Sequence, residues 1–206
     1  MGAAPIGVLA LQGDVAEHRK SLEDLGLEVR LVKTVEALDG LGGIVLPGGE
    51  STAISLLLRS AGLDEPLRRA IERGLPTFGT CAGLVLLARS IRDGRDDQVQ
   101  LNGLDLVVRR NGFGRQRNSF ETSIVGHGPL AGEPLHAIFI RAPVIEHVGS
   151  EVEVLAELET SEGSTPVLVR SGHVLAGSFH PELTGDRRVH EVFAAMVASA
   201  DIAGTL

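Results

Sequence analysis

Residues 76–91 read PTFGTCAGLVLLARSI. PTFGT (76–80) is a short apolar run of the kind a buried strand shows, and AGLVLLARSI (82–91) predicts a helix. Between them stands Cys81, the only cysteine in the chain, with Gly79 two positions before it and Gly83 two after. G-x-C-x-G at a strand-to-helix junction is the nucleophile-elbow arrangement with sulfur in place of oxygen. The turn is sharp, so its small flanking residues keep strand and helix from clashing. The elbow points its side chain out at the C-terminal edge of the sheet, where open α/β sheets carry their sites. The helix N-terminus favours thiolate over thiol, and the Ala82 N–H can face a developing oxyanion. A small thiol packed between glycines is the competing reading of these residues.

Outward from the elbow, strand and helix alternate. IGVLAL (6–11) is a continuous apolar run, as a strand buried on both faces requires. After a QGD turn, Asp14 is placed to cap a helix over VAEHRKSLEDLG, with Glu17 three residues on and Gly26 closing it. EVRLV (28–32) and GGIVLPGG (42–49) predict two more strands. STAISLLLRSAG (51–62), with Ser51 as its cap, and EPLRRAIERG (65–74), with Pro66 in its first turn, predict helices. This alternation specifies a parallel sheet with helices on both faces. The middle of the chain changes character. LDLVVRR, SFETSIV, HAIFIRA, VEVLAEL, TPVLVR and HVLAGSF are short strands between turns, suited to hairpins or an antiparallel extension. RDGRDDQVQ (92–100) is polar and predicts an exposed loop. A last helix over 186–200 sets Val189, Val192, Phe193, Met196 and Val197 on one face. The expected fold is α/β: three layers, a mostly parallel central sheet with helices on both faces, and an antiparallel extension.

Composition narrows the function. A chain of 206 residues fits one domain, 1–206, with room for a substantial core. There are 19 basic and 27 acidic residues, a formal charge of −8, without the basic patch of a nucleic-acid binder. The pairs Arg68-Arg69, Arg109-Arg110 and Arg187-Arg188 are short and scattered. A lone cysteine excludes an internal disulfide scaffold and suits a reducing cytosol. PIGVLALQG is too short to span a membrane and has no basic region before it. A cytoplasmic protein without membrane attachment is expected. The cysteine and the seven histidines do not cluster at metal-ligand spacings, so no metal is expected.

A thiol nucleophile needs a base, and the base needs an orienter. His18 and His190 fall on predicted helices, on faces read as exposed. His127 lies between glycines in a turn, and His136, His147 and His173 sit near strand starts or loops. His180 is different: it follows the apolar LAGSF and opens HPEL. Pro181 fixes the backbone, and Glu182, two residues on in an extended segment, projects to the same side. Glu182 can then hold one imidazole nitrogen while the other faces Cys81. A strand-end histidine beside a solvated glutamate is the alternative. LPGGEST (46–52), also directly after a strand, brings Gly48 and Gly49, whose N–H groups can approach a ligand closely. A second oxyanion donor, a phosphate cradle and a plain glycine turn all fit this stretch. Against the cradle, the Lys of G-x-x-x-x-G-K-[ST] is missing and Glu50 would repel a phosphate.

PGGEST, GTCAGL and SFHPEL, in this order and spacing, resemble the triad-type, class I glutamine amidotransferases. With LALQGDVAEH, RRNGFGRQRNSFE (109–121) and FIRAP (139–143), the likeness covers nearly the whole chain and narrows to the glutaminase subunits of pyridoxal phosphate synthase. RDGRDDQVQLNG is a stretch of variable character. The resemblance implies that Cys81 attacks the side-chain amide of L-glutamine. His180 would deliver a proton to the leaving ammonia and later activate water, with Glu182 orienting it. It implies an oxyanion hole from the Gly49 and Ala82 backbone, and glutamine bound at Gly49, Glu50, Ser51, Arg110, Ile140 and Arg141. It implies a (β/α)-barrel synthase as partner in a hetero-oligomer that receives the ammonia, and no cofactor of the chain's own. The Gly48-Gly49 turn, which can reorient a peptide at little steric cost, offers such a partner a place for control. Three other readings stay open on the sequence: a glutaminase subunit of another synthase, a thiol hydrolase of similar fold, and a non-catalytic protein that kept the fold.

Overall fold

β1 (Ile6–Leu9), β3 (Gly43–Leu46) and β4 (Thr77–Thr80) are short runs buried from end to end. A strand buried on both faces belongs inside a covered sheet. The computed structural model describes residues 4–95, 97–110, 112, 119–160 and 163–203. In it these strands join β2 (Val29–Val32) and β12 (Val174–Gly177) as the parallel half of a large sheet. The antiparallel half is made of β7 (Ser119–Gly126), β8 (Leu135–Ile140), β10 (Glu153–Thr160) and β11 (Gly163–Ser171). The nine strands run in the order β2-β1-β3-β4-β12-β11-β10-β7-β8.

Alternate side chains of each strand enter different cores, as the period of two demands. Ile44 and Leu46 pack with Ile54 and Leu58 of α2 (Ser51–Ser60), Leu67 and Ile71 of α3 (Asp64–Glu72), and the apolar residues of α4 (Ala82–Leu87). Val45 and Phe78 pack with Leu22 of α1 (Val15–Glu23) and with Val189, Phe193 and Val197 of α5 (Arg188–Ala203). Helices therefore cover both faces, as expected. Among the described residues no helix is long and apolar enough to cross a membrane.

Several local expectations need correction. The helix expected over 82–91 stops at Leu87. Ala88 is extended, and Ala88–Arg92 forms β5, which pairs with β6 (Leu104–Arg109) and, through it, with β9 (Val144–Val148), a strand not foreseen. Arg89 reaches Asp105 and Arg92 reaches Glu146 across this small sheet, partners that a reading of local apolar periodicity does not see. The loop after β5 is not wholly exposed: Gln98 and Val99 are buried, the Gln98 amide donating to Ser51 O at 3.0 Å and the Val99 N–H to Ser55 Oγ at 3.2 Å. Ser51 does not cap α2. Glu50 does, its carboxylate accepting from Thr52 N at 3.1 Å and Ala53 N at 2.7 Å. Asp14 makes no side-chain cap on α1. His18 and His190 are fully buried, not exposed. HVLAGSF does pair antiparallel with β11, as a hairpin, but on its other side its strand β12 lies parallel to β4, which local reading did not foresee.

Candidate active site

That last difference builds the site. Pairing β12 with β4 sets the chain after Gly177 beside the elbow, and the Cys81 N–H donates to Gly177 O at 2.8 Å. Cys81 itself has φ 48° and ψ −98°, a strained conformation for a residue with a side chain and one that costs about 1–3 kcal/mol. The flanking glycines are required by contact. A Cβ at Gly79 would stand 2.7 Å from Gly83 C, and one at Gly83 would stand 2.1 Å from Leu46 O. Any larger residue would push α4 away from β3 and β4. Ala82 opens α4, so its N–H belongs to the first turn, whose donors have no acceptor within the helix.

Three residues past β12, His180 is fixed by its N–H to Ile138 O at 2.9 Å and by the 3₁₀ turn Pro181–Leu183 that follows. Its Nδ1 lies 2.8 Å from Glu182 Oε1 and 3.1 Å from Asp14 Oδ2. Nε2 is buried and has no hydrogen-bond partner among the described residues. The Cys81 thiol lies on the same cavity and donates weakly to Ile140 O at 3.8 Å. Burial works against a cation at His180, but Asp14, Cys81 and Glu182 outweigh it and its pKa is pushed up to about 12. Burial pushes the Glu182 carboxyl upward, against the pull of His180. Asp14, His180 and Glu182 bring donor atoms within 4.8 Å of one another, a spacing a metal could use. Here both carboxylates converge on His180 Nδ1.

The cavity in front of Cys81 measures about 250 Å³, below the ~300–1,000 Å³ of drug-sized sites, so it suits a ligand the size of one amino acid. Gly49, Glu50, Ser51, Ala82, Arg110, Ile140 and Arg141 line it together with Cys81 and His180, while Glu182 stands behind His180. Arg110 Nη2 donates to Glu50 Oε1 at 3.0 Å, and burial, then the two helix N–H groups and Arg110, act on that carboxyl with a net downward shift. Arg141 has φ 44°, a second strained residue on the same rim. The NGFGRQ stretch adjoining Arg110 lies, except for Gly112, outside the described residues.

Four further residues line the cavity: Val85 and Pro143, which are apolar, and Gln12 and Asp14, which are polar. Gln12 Oε1 accepts from Glu50 N at 2.8 Å, and Asp14 N donates to Gly48 O at 3.1 Å while its carboxylate turns to His180. The QGD turn and the glycine turn thus close on one another across the cavity. Adjacency of two strand ends, β1 and β3, was the available signal.

Residues 8–199 match the SNO glutamine amidotransferase family. Proteins named pyridoxal 5'-phosphate synthase subunit PdxT are similar along their length. The one from Frankia alni is 52% identical over 200 residues, covering 97% of this chain and 98% of the relative. The one from Parafrankia sp. is 54% identical over 199 residues, covering 97% and 96%. A crystal structure described as a glutamine amidotransferase has a TM-score of 0.85 at 47% identity, covering 94% of this chain and 98% of that one. Fold and elbow together define the class I glutamine amidotransferase type. Within that class, the chain belongs to the SNO glutamine amidotransferase family.

Proposed function

We propose that the whole chain is one glutaminase unit of a pyridoxal phosphate synthase, hydrolysing L-glutamine to glutamate and ammonia and handing the ammonia to a partner synthase. The observation that carries the chemistry is a strained Cys81 beside a His180 whose far nitrogen is gripped by Glu182, both facing one amino-acid-sized cavity. The Arg110 and Arg141 guanidinium groups and the Glu50 carboxylate on its wall suit the opposite charges of a free amino acid. Names of the relatives supply the identity of the synthase.

In this reading Cys81, as the thiolate, attacks the amide carbon, and its electron pair forms the C–S bond. The carbonyl oxygen takes negative charge against the N–H groups of Ala82 and Gly49. His180, cationic across neutral pH because of its carboxylate partners, gives its Nε2 proton to the nitrogen, and the C–N bond breaks to release ammonia. Neutral His180 then takes a proton from water, whose oxygen attacks the thioester; the C–S bond breaks and glutamate leaves. Glu182 fixes the ring through Nδ1 during both steps. The partner is a (β/α)-barrel synthase in a hetero-oligomer, and we place the assembly in the cytosol, where a free thiol stays reduced. Docking of the synthase reorients the Gly48-Gly49 peptide, a turn that can change at little steric cost, and completes the oxyanion hole.

The test is steady-state glutamate formation by the purified chain, alone and with that synthase. Weak activity alone and a large rise in kcat on mixing are expected. Absence of glutamine turnover in the mixture, or no binding of the synthase, would refute the reading.

A further inference from the structure

His18 of α1 and His190 of α5 meet behind the triad, both fully buried. His18 Nδ1 is 3.1 Å from His190 Nε2. His18 Nε2 is 2.9 Å from Thr80 Oγ1, the residue before Cys81, and 3.4 Å from Glu182 Oε2. Phe78 stands edge-to-face against both rings, at 5.9 and 5.6 Å. The other Glu182 oxygen holds His180 at 2.8 Å. A line of side chains therefore runs from α5 through α1 to the catalytic imidazole.

We propose that His18 is a positioning residue of the glutaminase centre: its Nε2–H is directed at Glu182 Oε2 and Thr80, and His190 fixes that tautomer by donating its own Nε2–H to His18 Nδ1. The inference rests on the glutaminase reading and extends it to residues beyond the triad.

Donor and acceptor counting leads to this assignment. Burial, then His190 and His180, hold His18 well below the ordinary imidazole range; burial, then Arg187, bring His190 down to about 4. Both rings are neutral near pH 7, each with one donor and one acceptor. Glu182 Oε2 is buried and has no hydrogen-bond partner among the described residues, although His18 Nε2 approaches it to 3.4 Å, and a carboxylate can only accept. The opposite His18 tautomer would aim a nitrogen lone pair at that oxygen. With the proton on His18 Nε2, Nδ1 must accept, so His190 Nε2 must donate. The bare nitrogen is then His190 Nδ1, which is also buried without a partner, and an unpaired acceptor is better tolerated than an unpaired N–H. The charged groups around the cluster are Asp14 and His180 beside Glu182, and Arg187 beside His190. With Oε1 bonded to the His180 ring and the His18 N–H approaching Oε2, rotation of the Glu182 carboxylate is opposed and Oε1 stays on His180.

The test has two arms. In protein with 15N-labelled histidine rings, two-bond proton–nitrogen spectra should show His18 and His190 as neutral Nε2–H tautomers, unprotonated down to about pH 6, close to the ordinary imidazole value of ~6.5. A proton on His18 Nδ1, or titration of either ring above about that pH, would overturn the assignment. In the complex with the synthase, His18→Leu should lower kcat about tenfold with KM for glutamine unchanged, and move the acid limb of the kcat profile to higher pH as Glu182 loses a donor. His18→Gln, whose amide N–H can stand where Nε2–H stood, should recover most of the loss. Lowered thermal stability with unchanged kcat and pH profile, or His18→Gln as impaired as His18→Leu, would contradict a positioning role. The spectra need no turnover, so they distinguish a failure of this assignment from a failure of the glutaminase reading.

Discussion

Gly48 stands directly against His180, which makes Gly48→Ala an informative perturbation. A Cβ there would lie 2.4 Å from His180 Cε1, 2.8 Å from its Nδ1 and 2.8 Å from Asp14 Oδ2. Gly48 is not among the residues with positive φ, so alanine fits the backbone and the whole effect comes from contact. Carbon atoms pack at about 3.5–4.0 Å, so the ring or the turn must give by roughly 1 Å. The ring is pinned at 2.8 Å by Glu182 and at 3.1 Å by Asp14 and cannot retreat without loosening both. Overpacking of this kind costs about 1–3 kcal/mol, a fall in Tm of roughly 2–12 °C at this chain length. A catalytic group displaced by about 1 Å loses on the order of 10²-fold in rate. Gly48→Ala should therefore unfold cooperatively at a modestly lower temperature and lose about a hundredfold in kcat/KM, mainly in kcat. The assay is glutamate formation in the complex with the synthase, with calorimetry on the same samples. An unchanged kcat/KM would refute the claim that the glycine turn leaves His180 its only productive position.

His180→Asn should cut kcat by about 10²–10⁴-fold and Glu182→Gln by less, since Glu182 orients and does not react; wild-type kcat/KM for Glu182→Gln would move the third triad member elsewhere. Arg110→Ala should raise KM for glutamine roughly ten- to a hundredfold, the worth of one charge-assisted hydrogen bond, with kcat nearly kept; an unchanged KM would remove Arg110 from the substrate site. His190 makes acid stability testable. Its folded pKa of about 4 lies below the unfolded ~6.5, so the unfolded chain binds the proton first and stability is lost as pH falls from ~6.5 through ~4, by roughly 3 kcal/mol in all. His190→Gln removes this loss. In urea unfolding, the stability of the variant relative to wild type should rise by roughly 2 kcal/mol between pH 7.5 and about pH 5; a difference independent of pH would count against a buried neutral His190.

The elbow was legible because its chemistry leaves few choices: a strained nucleophile needs small neighbours, and Gly79 and Gly83 are those neighbours. The HPE pair was legible as an orienter two residues from a base, although a 3₁₀ turn over Pro181–Leu183, and not the extended segment expected, brings Glu182 back to His180. What could not be read was the placement of β12 beside β4, since strands almost a hundred positions apart pair through tertiary packing. The same holds for Asp14. Its local role as a cap on α1 lost to a partner brought by β12. For His18 and His190 polarity alone points to exposed faces, whereas their spacing points to the core. His18 shares a stripe with Leu22 at i+4, and His190 shares one with Phe193 and Val197 at i+3 and i+7, all buried. The end of α4 at Leu87 was hidden because β5 is held by partners in β6 and β9 that local periodicity does not contain.

Cys81 is the only thiol of the chain, so covalent labelling by a chloroketone analogue of glutamine, read by intact mass and peptide mapping in the complex with the synthase, tests the nucleophile directly. One analogue should attach at Cys81, glutamine should protect against it, and glutaminase activity should fall in step with labelling. Attachment at another residue, or glutamine hydrolysis that survives stoichiometric modification of Cys81, would contradict the assignment.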